Sequence, residues 1–118
     1  METTRQKKIG RLLQKELAEI FRKDNLHLFK GAMVSVSHVW VAPDLSLAKV
    51  YLSIFPVDDK EAFIKLVRSN TVMIRKELAG IVRHQLRKIP ELAFYIDDTI
   101  DRMEEIDRLL KGGGDAEE

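Results

Sequence analysis

Two runs of lysine and arginine define the chemistry open to this chain. Over residues 1–23, Arg5, Lys7, Lys8, Arg11, Lys15, Arg22 and Lys23 stand against three acids, a local charge of +4. Over residues 65–88, seven more cations, Lys65, Arg68, Arg75, Lys76, Arg83, Arg87 and Lys88, stand against Glu77 alone, a local +6. Steps of four residues join Lys7, Arg11 and Lys15, with Arg22 further along the same row. Steps of four, three and four join Lys76, Gly80, Arg83 and Arg87, so each set is expected along one side of a helix. Rows of fixed cations perform no reaction. They hold polyanions by charge, and the small Ala79 and Gly80 would let a phosphate backbone approach closely. Any amphipathic helix shows a polar face. Two nearly acid-free stripes in one small domain favour a nucleic-acid partner over mere solubility.

Other chemistries find less support. His27, His38 and His84 lack metal-ligand spacing, and without cysteine neither a thiolate zinc site nor a disulfide can form. Asp97, Asp98, Asp101, Glu104 and Glu105 invite a magnesium reading. Acids opening a helix that ends on Arg108 and Lys111 are better explained as complementing its dipole. No phosphate-binding glycine loop, nucleophile elbow or Ser/His/Asp arrangement is present, so no enzyme, cofactor or small-molecule substrate is expected. Trp40 and Tyr95 can stack on bases from an open sheet face, although Trp40 equally suits a half-buried strand end. The basic first helix also has the composition of a membrane-surface helix, but its apolar stripe is needed to cover a sheet. The opening METTRQKKIG lacks the apolar run of a signal peptide, and no stretch approaches the ~18 apolar residues of a membrane span. A cytoplasmic protein without a membrane partner is expected.

The elements that must carry these side chains follow from periodicity. Ile9, Leu13, Leu17 and Ile20 mark an amphipathic helix from about Thr4 to Lys23, ended by Asp24-Asn25 and Gly31. Residues 32–41 and 47–55 are β-branched and alternating, joined at Pro43-Asp44 as a hairpin. Val34 and Val36 share one parity and Val39 and Val41 the other. A bulge near Ser37-His38 would bring all four to one face.

Pro56 stops the second strand, and Asp58 or Asp59 caps a helix with Phe63, Ile64 and Val67 inward. A break at Ser69-Asn70-Thr71 leads to a further helix from about Thr71 to Arg87, with Ile74, Leu78, Ile81 and Val82 inward, ended by Pro90. LAFYID reads as a third strand, and a last helix capped by Asp98-Thr99 stops at Gly112-Gly113-Gly114. The order α-β-β-α-α-β-α describes an α+β fold, a three-stranded sheet covered by helices on one face. At 118 residues there is room for one core. Residues 1–111 form the expected single domain, and 112–118 a flexible acidic tail in the segment where nine acids from Asp97 onward face three cations.

RQKKIGRLLQKELAEIF, PDLSLAKVYLSIF and IRKELAGIVRHQLRKIPELAFYIDD, taken with the final apolar-acidic helix, resemble the ribosome-binding factor A family over about residues 3 to 100. Asp44-Leu45, Ala48-Lys49-Val50-Tyr51, Ile74-Arg75, Pro90-Glu91-Leu92 and Phe94 with Asp97 carry the resemblance jointly. It implies a KH-like fold of the second type and a non-enzymatic factor that binds the 16S rRNA, or its precursor, of the immature 30S subunit. It also implies a role in late maturation and rRNA processing, and importance for growth in the cold. In this family a helix kink, often marked by Ala-x-Gly, replaces the GxxG loop of other KH domains. The corresponding stretch here is Asn70-Thr71-Val72, which leaves the kink geometry open.

The leading expectation is a monomeric RNA-binding assembly factor that holds rRNA phosphates through Lys7, Lys8, Arg11, Lys15, Arg75, Lys76, Arg83, Arg87 and Lys88. Its rival is a protein-interaction module without RNA affinity, docking through the acidic last helix or an open sheet edge.

Overall fold

The computed structural model describes residues 2–23, 33–55 and 59–97. Six elements run in order: α1 (Thr4–Lys23), β1 (Met33–Val41), β2 (Leu47–Phe55), α2 (Lys60–Ser69), α3 (Thr71–Val82) and β3 (Glu91–Ile96). The expected turn at Asp24-Asn25 and Gly31, the strand stop at Pro56, His27, the last helix from Asp98 and the 112–118 tail lie outside the described residues.

The sheet order is β1-β2-β3, with β1 antiparallel and β3 parallel to β2. The register slips between Val36 and His38, so Ser37 is the extra residue of a bulge and Val36, Val39 and Val41 all face the core. Gln14 of α1 steadies the bulge, its Nε2 donating to the carbonyls of Val36 (3.0 Å) and Ser37 (3.4 Å). Buried Ala48, Val50, Leu52 and Ile54 from β2 and Leu92 and Phe94 from β3 complete the helix-facing side.

α1 packs along β1 and α2 against β3, with α3 between them touching both α1 and β3. The apolar stripe of α1, Ile9, Leu13, Leu17, Ile20 and Phe21, is buried, and the Phe21 ring meets Phe94 edge-on at 6.1 Å across the core. A capping box starts α1: Thr3 N–H donates to Gln6 Oε1 and Gln6 N–H to Thr3 Oγ1. Asp59 caps α2 by accepting from the Ala62 N–H at 3.0 Å.

The break between α2 and α3 falls at Asn70, and polar side chains take up the carbonyls it releases. Ser69 Oγ and Asn70 Nδ2 both donate to the Leu66 carbonyl at 2.8 Å, and Thr71 Oγ1 donates to that of Arg68 at 2.7 Å. Cap-forming side chains thus produce the kink without glycine.

Two expectations about α3 need correction. It ends at Val82, not near Arg87, and residues 83–90 form a turn and an irregular return. The Gln85 and Leu86 N–H groups both donate to the Val82 carbonyl, closing a last turn before the chain runs back. The reversal is required because β3 is reached by running back alongside α3. Arg75, seven residues before Val82 and so about 10 Å up the helix, donates through Nε to the Pro90 carbonyl (3.1 Å) and through Nη2 to that of Ile89 (2.6 Å). A helix continued to Arg87 would carry the chain past this anchor. Ile81 is also not inward: it is 45% exposed, while Ile74, Leu78 and Val82 supply the buried stripe.

Candidate nucleic-acid interface

Six of the nine expected cations line two depressions at opposite edges of the sheet, and Lys8, Lys15 and Arg83 line neither. The larger, of about 790 Å³, lies between α3 and the returning segment, at the β3 edge. Arg75, Lys76, Arg87 and Lys88 line it together with Val72, Ala79, Ile89 and Leu92. The smaller, of about 320 Å³, lies between α1 and the β1 edge, lined by Lys7, Arg11, Gly10, Gln14, His38, Val39 and Glu2.

In the larger groove the cations differ in what holds them. Arg75 is half-buried and engaged by two main-chain carbonyls, so it ties the return segment to α3. Lys76, Arg87 and Lys88 are exposed. The shortened helix thus brings Arg87 and Lys88 across from Lys76, an arrangement that a continued helix would not have made. Arg83 and His84 are exposed in the turn after α3 and line neither depression. Gly80 is exposed with nothing within 4 Å of where a Cβ would stand, so the α3 backbone is open to approach there. Val72, at 81% exposure, gives the groove an apolar shoulder.

On α1, Lys7, Lys8, Arg11 and Lys15 are exposed on the side away from the buried stripe. Arg22 is committed to Glu19, its Nη2 donating to Oε2 at 2.8 Å. That bond holds the Glu19 carboxyl below and the guanidinium above its ordinary range. The Arg22 end of the row is therefore locally neutralised. The structure does not merge the two stripes into one surface.

The face of the sheet away from the helices carries planar side chains. Trp40 is half-buried with the Lys49 ammonium 5.3 Å from its ring centre, and Tyr95 is exposed and stacked on Tyr51. Asp97, the described member of the expected acidic cluster, accepts from Ser37 Oγ at 2.6 Å. Asp98, Asp101, Glu104 and Glu105 lie outside the described residues.

Residues 5–110 match the family model described as Ribosome-binding factor A. The chain belongs to the ribosome-binding factor A family. The ribosome-binding factor A of Christiangramia forsetii is 47% identical over 115 residues, covering 97% of this chain and 88% of that protein. That of Flavobacterium psychrophilum is 46% identical, covering 95% and 87%. A homology model of Thermus thermophilus ribosome-binding factor A, fitted into a cryo-EM map of a 30S complex, superposes with a TM-score of 0.60 at 25% identity, covering 75% of this chain and 90% of that one. A crystal structure of the Thermus thermophilus factor gives a TM-score of 0.64 at 23% identity, covering 77% and 93%, and shares the fold.

The family's element order was legible in the residues that carried the resemblance. Two features were not. Gly10 falls within the RQKKIGRLLQKELAEIF stretch, but nothing in that pattern marks it as buried where α1 meets β1. The placement of His38 on the open face depends on the bulge; the paired parities of Val34/Val36 and Val39/Val41 were the signal available for it.

Proposed function

We propose that this protein is a non-catalytic factor, acting as a monomer in the cytoplasm, that binds the 16S rRNA of the immature small ribosomal subunit and assists its late maturation and processing. The observation that carries this is the groove in which Lys76, Arg87 and Lys88 face one another across an apolar floor, in a chain of this family. Such a groove suits a phosphate backbone, because the cations attract it and no acid but Glu91 lines the walls. A relative fitted into a map of a 30S complex supports the small subunit as the source of that RNA. Lys7, Lys8, Arg11 and Lys15 supply a second phosphate contact at the other sheet edge, and exposed Arg83 adds a cation in the turn after α3.

The test is cosedimentation of the full chain with purified small subunits. Charge reversal at Lys76, Arg87 and Lys88 together is expected to abolish association while leaving circular dichroism and melting temperature nearly unchanged. For the unmodified chain, neutralising about seven phosphates over the two sheet edges gives a slope of log affinity on log salt of roughly −5 to −6. Undiminished cosedimentation of the triple variant would overturn the assignment of this groove.

A second reading is favoured by Val72 and Met73, 81% and 45% exposed beside the groove: a protein partner docks there. It predicts loss of association on Val72→Ser with Met73→Ser, and a nearly flat salt dependence.

A further inference from the structure

Planar side chains on the open sheet face form one continuous stack. The Tyr95 and Tyr51 rings are 5.5 Å apart with 27° between their planes, and Tyr51 and His38 are 6.2 Å apart with 28° between theirs. The three residues occupy one register row across the sheet. His38 joins this row because of the bulge; in a regular strand of the same sequence, His38, two residues after Val36, would share its inward parity.

The two ends of the stack differ. At the β3 end the Arg68 guanidinium stands 5.9 Å from the Tyr95 ring centre, fixed by donating through Nε and Nη2 to the Phe94 carbonyl at 3.1 and 2.8 Å. At the other end His38 is exposed on an edge strand and lines the 320 Å³ depression with Lys7 and Arg11. An unpaired nucleotide is recognised by a flat ring for its base and a cation for its phosphate. The β1 edge offers both side by side, two cations against the single acid Glu2. The volume falls within the ~300–1,000 Å³ of small-ligand sites, and rings already ordered by their neighbours lose little freedom on binding.

We propose that this edge is a nucleotide site: an unpaired base of single-stranded RNA extends the stack on His38, with its flanking phosphates against Lys7 and Arg11. The proposal rests on the RNA-binding function above but concerns a different place from the α3 groove, which lies at the β3 edge.

The experiment compares labelled octaadenylate with a ribose-phosphate octamer of equal charge that carries no bases, by fluorescence anisotropy with the full chain. The unmodified chain binds octaadenylate more tightly. His38→Ala lowers that affinity about five- to a hundredfold, the range for one stacked base, and leaves the abasic affinity unchanged. His38→Phe keeps most of the gain, and Lys7→Ala with Arg11→Ala weakens both oligomers. Equal affinity of the unmodified and His38→Ala chains for octaadenylate overturns the site. Binding of both oligomers without any gain from the bases overturns it too, while RNA binding stands. If neither oligomer binds, the site falls, and cosedimentation with small subunits alone decides the broader function.

Discussion

The carbonyl oxygen of Val39 lies 2.9 Å from the point that a Cβ on Gly10 would occupy. α1 therefore seats on β1 through backbone, and that seat places Lys7 and Arg11 beside the strand edge. In a helix interior Ala is favoured over Gly by about 1 kcal/mol, whereas forcing an atom into a close-packed contact costs typically about 1–3 kcal/mol. The clash wins at Gly10, because its neighbour is backbone and cannot swing aside. Gly10→Ala is expected to lower the urea midpoint with an unchanged m-value. Gly80→Ala, with nothing within 4 Å, should raise it. If Gly80→Ala also weakens association with small subunits, the bare stretch of α3 is where the RNA backbone comes close.

Gln6 is buried and doubly committed: its Oε1 accepts from the Thr3 N–H at 2.7 Å and its Nε2 donates to the Val41 carbonyl at 2.7 Å. Gln6→Glu keeps the first bond and loses the second, setting a carboxylate against a carbonyl oxygen. A buried acceptor left without a donor costs about 1–3 kcal/mol, more than the few tenths to about 1 kcal/mol an acid gains at a helix N-terminus. Gln6→Glu should therefore destabilise at neutral pH, and partly recover as acidification protonates the new carboxyl and restores a donor. Denaturant titrations at two pH values check this.

In the β1–β2 turn Leu45 adopts a φ of 62°, a left-handed conformation unusual for a branched side chain. Asp44 supports it: its Oδ1 accepts from the Ser46 hydroxyl at 2.6 Å and the Ser46 N–H at 3.1 Å. The hydroxyl bond first, then the main-chain bond, holds the Asp44 carboxyl below its ordinary range, with a smaller contribution from the charge of Lys88. Because the folded chain favours the ionised form, this contribution to stability is complete above the ordinary aspartate range of about 3.9 and is lost as pH falls through the lowered value. Ser46→Ala removes the leading cause. The Asp44 carboxyl carbon, followed by NMR, should then titrate at higher pH than in the unmodified chain.

Local patterns make much of this arrangement legible in the residues alone. The parity change between Val36 and Val39 announced the bulge, and Ser69-Asn70-Thr71 announced the kink through side chains that bond freed carbonyls. The end of α3 was not legible, because Leu86 and Ile89 continue its apolar period and no glycine or proline interrupts Arg83-His84-Gln85. The return route to a parallel strand, a tertiary requirement, overrides helical periodicity there. Spacing likewise showed which side of α1 is basic, but the row it implied on α3 is broken, because Arg83 and Arg87 lie beyond the helix end at Val82. It carried no information on where each helix sits, so the separation of the two stripes to opposite sheet edges emerged only from the fold.

Arg75 and Lys76 are adjacent in sequence and line the same groove, but their surroundings assign them different tasks. Arg75 anchors the carbonyls of Ile89 and Pro90, and Lys76 is exposed. Hydrogen bonds from a charged group contribute about 1.5–3 kcal/mol, so Arg75→Gln should destabilise the fold by roughly that amount. It should also loosen the segment bearing Arg87 and Lys88, raising amide exchange from Arg83 to Glu91. Its binding defect would then be indirect. Lys76→Gln should leave stability within about 0.5 kcal/mol, as surface substitutions usually do, while reducing RNA affinity and flattening the salt slope by about one. Urea unfolding and a salt titration on both variants separate the tether from the phosphate contact. Equal stability of the two would show that Arg75 faces the RNA rather than the loop.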